Sequence, residues 1–279
     1  MVDNNNHSLA NLEISRRRYM QGTAGVGIGG LLGTQGAMTD QQMNNTDASF
    51  SEKLESGEPL YGISDPLQGI DSAAIVSQHP ETDWVWVDGE HGAIWIEEIR
   101  RKLATFPDDT AGLVRIPGGD PKEVEQVLDA GARGVIIPKK RDPEEVERFV
   151  ESAYFPPEGN RGEGGPIPEV VGNDEVFVVV QVETPEIIEQ IEDVAAIDGI
   201  DSLLVGPNDL SNFMGVSPES SQFQQAVDRV LRVSQENDII PGYWVGSEDE
   251  SEFVEEGWQL LSLGSASGLL SDAISNRIP

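Results

Sequence analysis

The sequence predicts an α/β fold, a closed (β/α)8 TIM barrel, and three observations lead there. From Leu60 onward, short apolar runs alternate with amphipathic stretches, eight of each over about 220 residues. Three of the amphipathic stretches open on the same device, a capping residue followed by proline: Asp120-Pro121, Asp142-Pro143 and Thr184-Pro185. Polar residues collect directly after the apolar runs, where a barrel gathers its functional loops. An open doubly wound sheet is the alternative, but it would not need eight regular units.

Taken in order, the first fifty residues are a separate object. Residues 1–14 are polar, and Ser15-Arg16-Arg17-Arg18-Tyr19-Met20 leads into an uncharged, glycine-rich stretch ending at Ala37. Paired arginines before a modestly apolar run match a twin-arginine export signal, with small residues for cleavage before Met38. The run falls short of the ~20 apolar residues that a membrane span needs. Residues 1–37 are therefore expected to act as a signal and to meet a twin-arginine translocase. Export is the expected fate, with a cytoplasmic protein the alternative. Residues 38–49 read as a disordered linker, and the barrel is expected to occupy 50–279.

Within the barrel, strands are expected at 60–63, 84–87, 112–116, 134–137, 176–182, 202–205, 239–243 and 259–263, each an apolar run four to seven residues long. Helices are expected at 68–79, 94–105, 121–130, 142–154, 185–196, 219–236 and 248–256, with a last one from about 266. The second strand, Trp84-Val85-Trp86-Val87, runs straight into Asp88-Gly89-Glu90-His91. A buried strand ending in two carboxylates and an imidazole is how a barrel builds a site. There are three histidines in the chain, and His91 is the one placed for proton chemistry near neutral pH.

Composition excludes several classes of function. The chain has no cysteine, so thiolate nucleophiles, disulfides and Cys-ligated metals are ruled out. Fifty acidic residues oppose eighteen basic ones, a net charge of −32, the wrong sign for a nucleic-acid surface. The acids are spread through periodic, foldable sequence, which suits a protein working in high salt.

Several other residues share the strand-end face. Glu183 and Asp209 follow the fifth and sixth expected strands, and two carboxylates with water and substrate oxygens suit a hard divalent cation. Each also has a plainer reading, Glu183 as a helix N-terminal acid and Asp209 as an N-cap or Asx turn. Arg115 ends an apolar strand, where a guanidinium is costly unless it faces a carboxylate. Lys139 and Lys140 raise Schiff-base chemistry, but with Arg141 beside them they read as solvated. The loop Asn160-Arg161-Gly162-Glu163-Gly164-Gly165 reads as mobile and lying over the mouth.

These segments together resemble the HpcH/HpaI aldolases, divalent-metal, pyruvate-dependent enzymes. The resemblance runs through Trp84-Val85-Trp86-Val87-Asp88-Gly89-Glu90-His91-Gly92, Val114-Arg115-Ile116-Pro117 and the stretch from Val127 to Pro138. It continues in Tyr154-Phe155-Pro156-Pro157-Glu158-Gly159-Asn160-Arg161-Gly162, Val180-Gln181-Val182-Glu183-Thr184, Val205-Gly206-Pro207-Asn208-Asp209-Leu210-Ser211 and Leu263-Gly264-Ser265.

The resemblance implies a barrel of the phosphoenolpyruvate/pyruvate-binding type assembled as a homohexamer. It implies a class II aldolase that cleaves a 4-hydroxy-2-oxo acid to pyruvate and an aldehyde. Glu183 and Asp209 would bind Mg²⁺, Mn²⁺ or Co²⁺, and Glu90 would support the metal's water shell. Arg115, Gln181, Gly206 and Pro207 would line the substrate site. His91, oriented by Asp88, would carry the proton. The chain departs from the family at Gly118-Gly119, where a Trp-Asn pair is usual. It departs again at Lys139-Lys140, where Met and an apolar residue are common, and in a short 165–176 segment. Two other readings are a citrate-lyase-type CoA-thioester lyase and an exported barrel that binds oxo acids or metal without turnover.

Overall fold

A computed structural model describes residues 50–162 and 171–278. The signal-like segment 1–37, the linker 38–49 and residues 163–170 lie outside them. The chain opens with helix α1 (Phe50–Ser56) and strand β1 (Leu60–Asp65), followed by α2 (Asp71–Ser77), β2 (Trp84–Asp88) and α3 (Ile96–Leu103). Next come β3 (Ala111–Arg115), α4 (Lys122–Asp129), β4 (Gly134–Ile137), α5 (Pro143–Glu151) and β5 (Phe177–Val182). Two short helices, α6 (Pro185–Glu189) and α7 (Ile191–Ala195), precede β6 (Ser202–Val205) and α8 (Pro207–Met214). The chain closes through α9 (Ser221–Glu236), β7 (Ile240–Trp244), α10 (Glu250–Glu256), β8 (Leu260–Ser265) and α11 (Ala266–Arg277).

All eight strands pair in parallel, in sequence order, and β8 returns to β1 to close the barrel. The expected (β/α)8 fold is the observed one. Each of the eight expected strands lies within two residues of its observed bounds.

Period-two alternation along the strands sorts their side chains into two cores. Val85, Val87, Val114, Val135, Val178, Val180, Leu203 and Val205 face outward and pack under the helices. Leu60, Trp84, Trp86, Leu113, Ile136, Phe177, Val179, Leu204 and Leu260 face inward and fill the barrel. Trp84 fits inside because Gly62 on the neighbouring strand has no side chain; a Cβ there would sit 2.2 Å from the indole. Phe50 of α1 meets the Phe177 ring edge-on at 5.3 Å, which closes the end of the barrel where the strands begin. Filling that end leaves the opposite end, where the strands finish, as the open mouth.

Two differences from the expected helices have local causes. The helix expected over 185–196 breaks at Gln190, whose side chain takes the Glu186 carbonyl that its own amide would use. Helix α8 was not expected, since Pro207-Asn208-Asp209 reads as a turn. Pro207 at its first position and Gly215 in the left-handed conformation at its end define it (φ 67°).

Candidate active site

Continuing the inward alternation past the apolar plug brings polar residues to the mouth. On β2 and β3 the inward positions pass from Trp86 to Asp88 and from Leu113 to Arg115. On β5 they pass from Val179 to Gln181, and then to Glu183 just beyond the strand. Asp88, Arg115, Gln181 and Glu183 are all buried. The Arg115 guanidinium lies over the Trp86 ring, 4.8 Å from its centroid, so the indole floors the site.

Asp88 and Arg115 form a two-pronged pair. Nε donates to Oδ1 at 2.9 Å and Nη2 to Oδ2 at 2.7 Å. Asp88 Oδ1 also accepts the backbone N–H groups of Glu90 and His91, each at 3.1 Å. Burial works against the Asp88 charge, but the Arg115 fork and the two amides outweigh it and hold its pKa below the usual value. This corrects the expected role of Asp88 as the orienter of the imidazole. Its carboxylate sets Arg115 and the turn after β2, and it meets His91 through the backbone. The His91 ring turns the other way, with Nε2 3.7 Å from Glu90 Oε2 and 3.5 Å from Lys139 Nζ.

Glu90 sits between two cations. Its Oε2 lies 3.0 Å from Arg115 Nη1 and its Oε1 2.9 Å from Lys139 Nζ. Gln181 Oε1 stands 3.5 Å from Arg115 Nη1. Lys139 itself adopts a left-handed backbone (φ 51°) just past β4, and its ammonium also lies 3.9 Å from Asp209 Oδ2. Burial lowers its pKa, yet Glu90, with Asp209 and Glu183 behind it, raises it overall. A firmly charged amine is a poor nucleophile, which argues against Schiff-base chemistry at this lysine.

The two lysines are not a solvated pair. Lys140 is buried, donates to the Gly118 carbonyl, pairs with Glu145 at 3.2 Å and stands 3.8 Å from the Phe149 ring centroid. Both lie past the end of β4, and the left-handed backbone of Lys139 sends the two side chains to different sides. The described part of the Asn160-to-Gly165 loop, residues 160–162, is also placed differently from expectation. Arg161 is buried against Asp129, the Val171 carbonyl and the Phe155 ring. Asp129 ends α4 and Val171 precedes β5, so the anchor ties this segment to the face away from the mouth.

Glu183 is the most unusual group. It has no exposed surface, and neither carboxylate oxygen has a hydrogen-bond partner. Burial, reinforced by the charges of Asp209 and Glu90 against the relief from Arg115 and Lys139, pushes its pKa up to about 8. Asp209 stands in the first turn of α8 as its third residue, so it is not the N-cap, which is Gly206. Gly206 is tightly enclosed, since a Cβ there would sit 2.9 Å from Gln181 Nε2 and 3.1 Å from Glu183 Cγ.

This donor set fits a hard divalent cation. Two carboxylate oxygens buried without partners are costly unless positive charge joins them. Among the described residues no group of three His, Asp or Glu side chains is arranged to hold a metal. Glu183 and Asp209 would therefore supply two ligands, leaving the other positions to water and substrate.

A family model described as HpcH/HpaI aldolase/citrate lyase matches residues 70–273. The 4-hydroxy-2-oxo-heptane-1,7-dioate aldolase of Shigella flexneri is 28% identical over 240 residues, covering 81% of this chain and 90% of that protein. The HpcH/HpaI aldolase from Desulfitobacterium hafniense superposes with a TM-score of 0.74 at 27% identity, covering 83% of this chain and 95% of its own. A structure described as citrate synthase SbnG gives a TM-score of 0.74 at 25% identity, covering 82% and 96%. With a match over most of its length and the same barrel, this chain belongs to the HpcH/HpaI aldolase/citrate lyase family.

Proposed function

We propose that the protein is a divalent-metal-dependent aldolase, a carbon–carbon lyase that reversibly cleaves a 4-hydroxy-2-oxo acid to pyruvate and an aldehyde. The observation that carries this reading is the unpartnered, buried Glu183 carboxylate beside Asp209 and the fixed Arg115. Glu183 and Asp209 would hold Mg²⁺, Mn²⁺ or Co²⁺, which when bound supplies positive charge to the enolate that forms as the C–C bond breaks. Arg115, locked by Asp88 and seated on Trp86, presents a second, preorganised positive charge to the same developing oxyanion. Gln181 and the Gly206-Pro207 turn shape the pocket for the oxo acid. Half exposed at the mouth, His91 can take the proton of the aldol hydroxyl as the bond breaks and return it in the opposite direction.

The test is direct. Purified protein is offered pyruvate with glycolaldehyde or succinic semialdehyde, with Mg²⁺, Mn²⁺ or Co²⁺, in high salt. Pyruvate consumption abolished by chelator and by His91→Ala supports the aldolase. Metal and pyruvate binding without turnover across a broad aldehyde panel would instead favour a non-catalytic binding barrel, and thioester cleavage a citrate-lyase-type enzyme.

The same reading extends to assembly and solvent. Helix α11 has no buried residue, and Leu269, Leu270 and Ile274 on it are exposed. Those apolar side chains support association into the hexamer that the resemblance implies. A monomeric mass by light scattering would sink that assignment. The net charge of −32 supports operation in high salt. Thermal unfolding that is indifferent to salt would count against it.

A further inference from the structure

We propose that Lys139 is a catalytic residue of the aldol step, its ammonium holding the substrate's C4 oxygen beside His91 while that oxygen gains or loses its proton. The proposal rests on the aldolase reading above and adds a residue to it. Three observations place Lys139 there. Its left-handed backbone (φ 51°), unusual for a residue with a side chain, directs it into the mouth immediately after β4. Its ammonium bridges the two halves of the site, 2.9 Å from Glu90 Oε1 on one side and 3.9 Å from Asp209 Oδ2 on the other. About a third of the side chain (34%) is exposed, so the amine faces the open mouth and is not sealed beneath it.

The decisive distance is to the imidazole. An oxygen exchanging a proton with His91 Nε2 must come within ordinary hydrogen-bond range of that nitrogen. Lys139 Nζ is 3.5 Å from the same nitrogen. An oxygen that bonds to Nε2 on the side facing Lys139 is therefore also within reach of the ammonium. An ammonium has three N–H donors; Glu90 Oε1 takes one and His91 Nε2 faces a second, which leaves the third for a substrate oxygen.

In the cleavage direction, His91 takes the proton from the C4 hydroxyl and the C4 oxygen forms the aldehyde carbonyl. The C3–C4 bond breaks, and its electron pair passes to the pyruvate half as the enolate. The proton returns from His91 to C3, giving the pyruvate methyl. Lys139 neutralises the charge on the C4 oxygen while it is only partly a carbonyl, and Arg115 does the same at the enolate oxygen. Negative charge moves from one oxygen to the other during the step, so a fixed cation at each end stabilises both limits of the transfer.

Lys139→Met removes the charge at similar length, and Lys139→Arg restores a cation. The experiment measures aldol cleavage, Mn²⁺ affinity by calorimetry, and exchange of the pyruvate methyl hydrogens for deuterium without aldehyde. For Lys139→Met, cleavage kcat is expected to fall about 10²-fold, the scale of losing one oxyanion donor. Mn²⁺ affinity is expected to hold or rise, because a cation near Asp209 has gone, while exchange stays within about threefold. Lys139→Arg recovers part of the loss. Should Lys139→Met fold poorly, Lys139→Gln takes its place in the same three measurements. A kcat within about threefold of the parent overturns the proposal, as does parallel loss of Mn²⁺ affinity and exchange, which would mark a structural role. An inactive parent overturns the aldolase reading and takes this proposal with it; an active parent with an indifferent Lys139→Met overturns the proposal alone.

Discussion

On the proposed reading, Glu183 makes metal binding a proton exchange, and the exchange has a measurable size. Its pKa of about 8 stands well above the ordinary 4.5, so the metal-free protein carries a neutral Glu183 through the lower part of the physiological range. A cation needs the carboxylate, so binding must expel the proton. With a pKa of about 8, roughly one site in a hundred is ionised at pH 6 and one in ten at pH 7. Apparent metal affinity should therefore rise about tenfold per pH unit between pH 6 and pH 8 and flatten above it. Calorimetric titration with Mn²⁺ in two buffers of different ionisation enthalpy counts the protons. About one should be released per ion at pH 6.5 and roughly half of one at pH 8. Stability of the metal-free protein follows the same group with the opposite sense to an ordinary ion-paired carboxylate. The folded state binds the Glu183 proton more tightly than the unfolded state does. Stability is therefore lost as pH rises from about 4.5 towards about 8, at up to ~1.4 kcal/mol per pH unit from this residue. Glu183→Gln should remove that slope and the proton release together. Fewer than about 0.2 protons released at pH 6.5, with an affinity flat from pH 6 to pH 8, would refute the reasoning.

Other expectations follow from single contacts. Lys102 is fully buried in α3, with Nζ 2.6 Å from the equally buried Asp65 Oδ2, and Lys102→Met should cost about 3–5 kcal/mol by stranding that carboxylate. Urea denaturation measures it, and a loss below about 1 kcal/mol would mean that Ser72 and the Leu67 amide satisfy Asp65 without the lysine. Gly206→Ala pushes a methyl against Gln181 and Glu183, and should weaken Mn²⁺ affinity while costing about 1–3 kcal/mol of stability; unchanged affinity would show that the pocket yields freely. For export, Arg16→Lys with Arg17→Lys should retain the protein inside the cell, and fractionation showing undiminished secretion would remove the signal assignment.

What could be read from the sequence, and what could not, divides along a physical line. Strands were legible because a barrel strand is buried on both faces and reads as an apolar run, as Val178-Val179-Val180 does. The residues after them were legible because polarity at a buried strand's end is expensive without a purpose. Thus Asp88, Arg115, Gln181 and Glu183 fall together at the mouth. Two short helices were not legible: α1, seven residues beside the expected linker, and α8, eight residues whose Pro207-Asn208-Asp209 start reads as a turn. Side-chain direction was the larger gap. Nothing in Lys139-Lys140 says that one reaches Glu90 and the other the Gly118 carbonyl, because a single left-handed residue decides it. Nor does Asp88-Gly89-Glu90-His91 say which neighbour the Asp88 carboxylate prefers. Arg115 wins with two charge-assisted hydrogen bonds, and the imidazole is left to Glu90 and Lys139.

The charges at the mouth do not balance among the protein's own side chains. Asp88 is matched by Arg115 at 2.7 Å and Glu90 by Lys139 at 2.9 Å, each pair close and hydrogen-bonded. Glu183 has no such partner, and Asp209 has Lys139 at 3.9 Å, a lysine already committed to Glu90. Four carboxylates against two cations leave a formal charge of −2 when Glu183 is ionised. The barrel cannot relieve this by solvation, because Glu183 is buried, nor by a third basic side chain, because the inward positions below it are the neutral Gln181 and then Val179 of the apolar plug. Two routes remain: Glu183 keeps a proton, or a divalent cation brings the two missing charges. The first is the raised pKa and the second the proposed cofactor, so one unmet charge accounts for both. On this argument Lys139 cannot replace the metal. It carries one charge and its closest carboxylate is Glu90, which frees Glu183 and Asp209 for the ion while the ammonium stays beside His91.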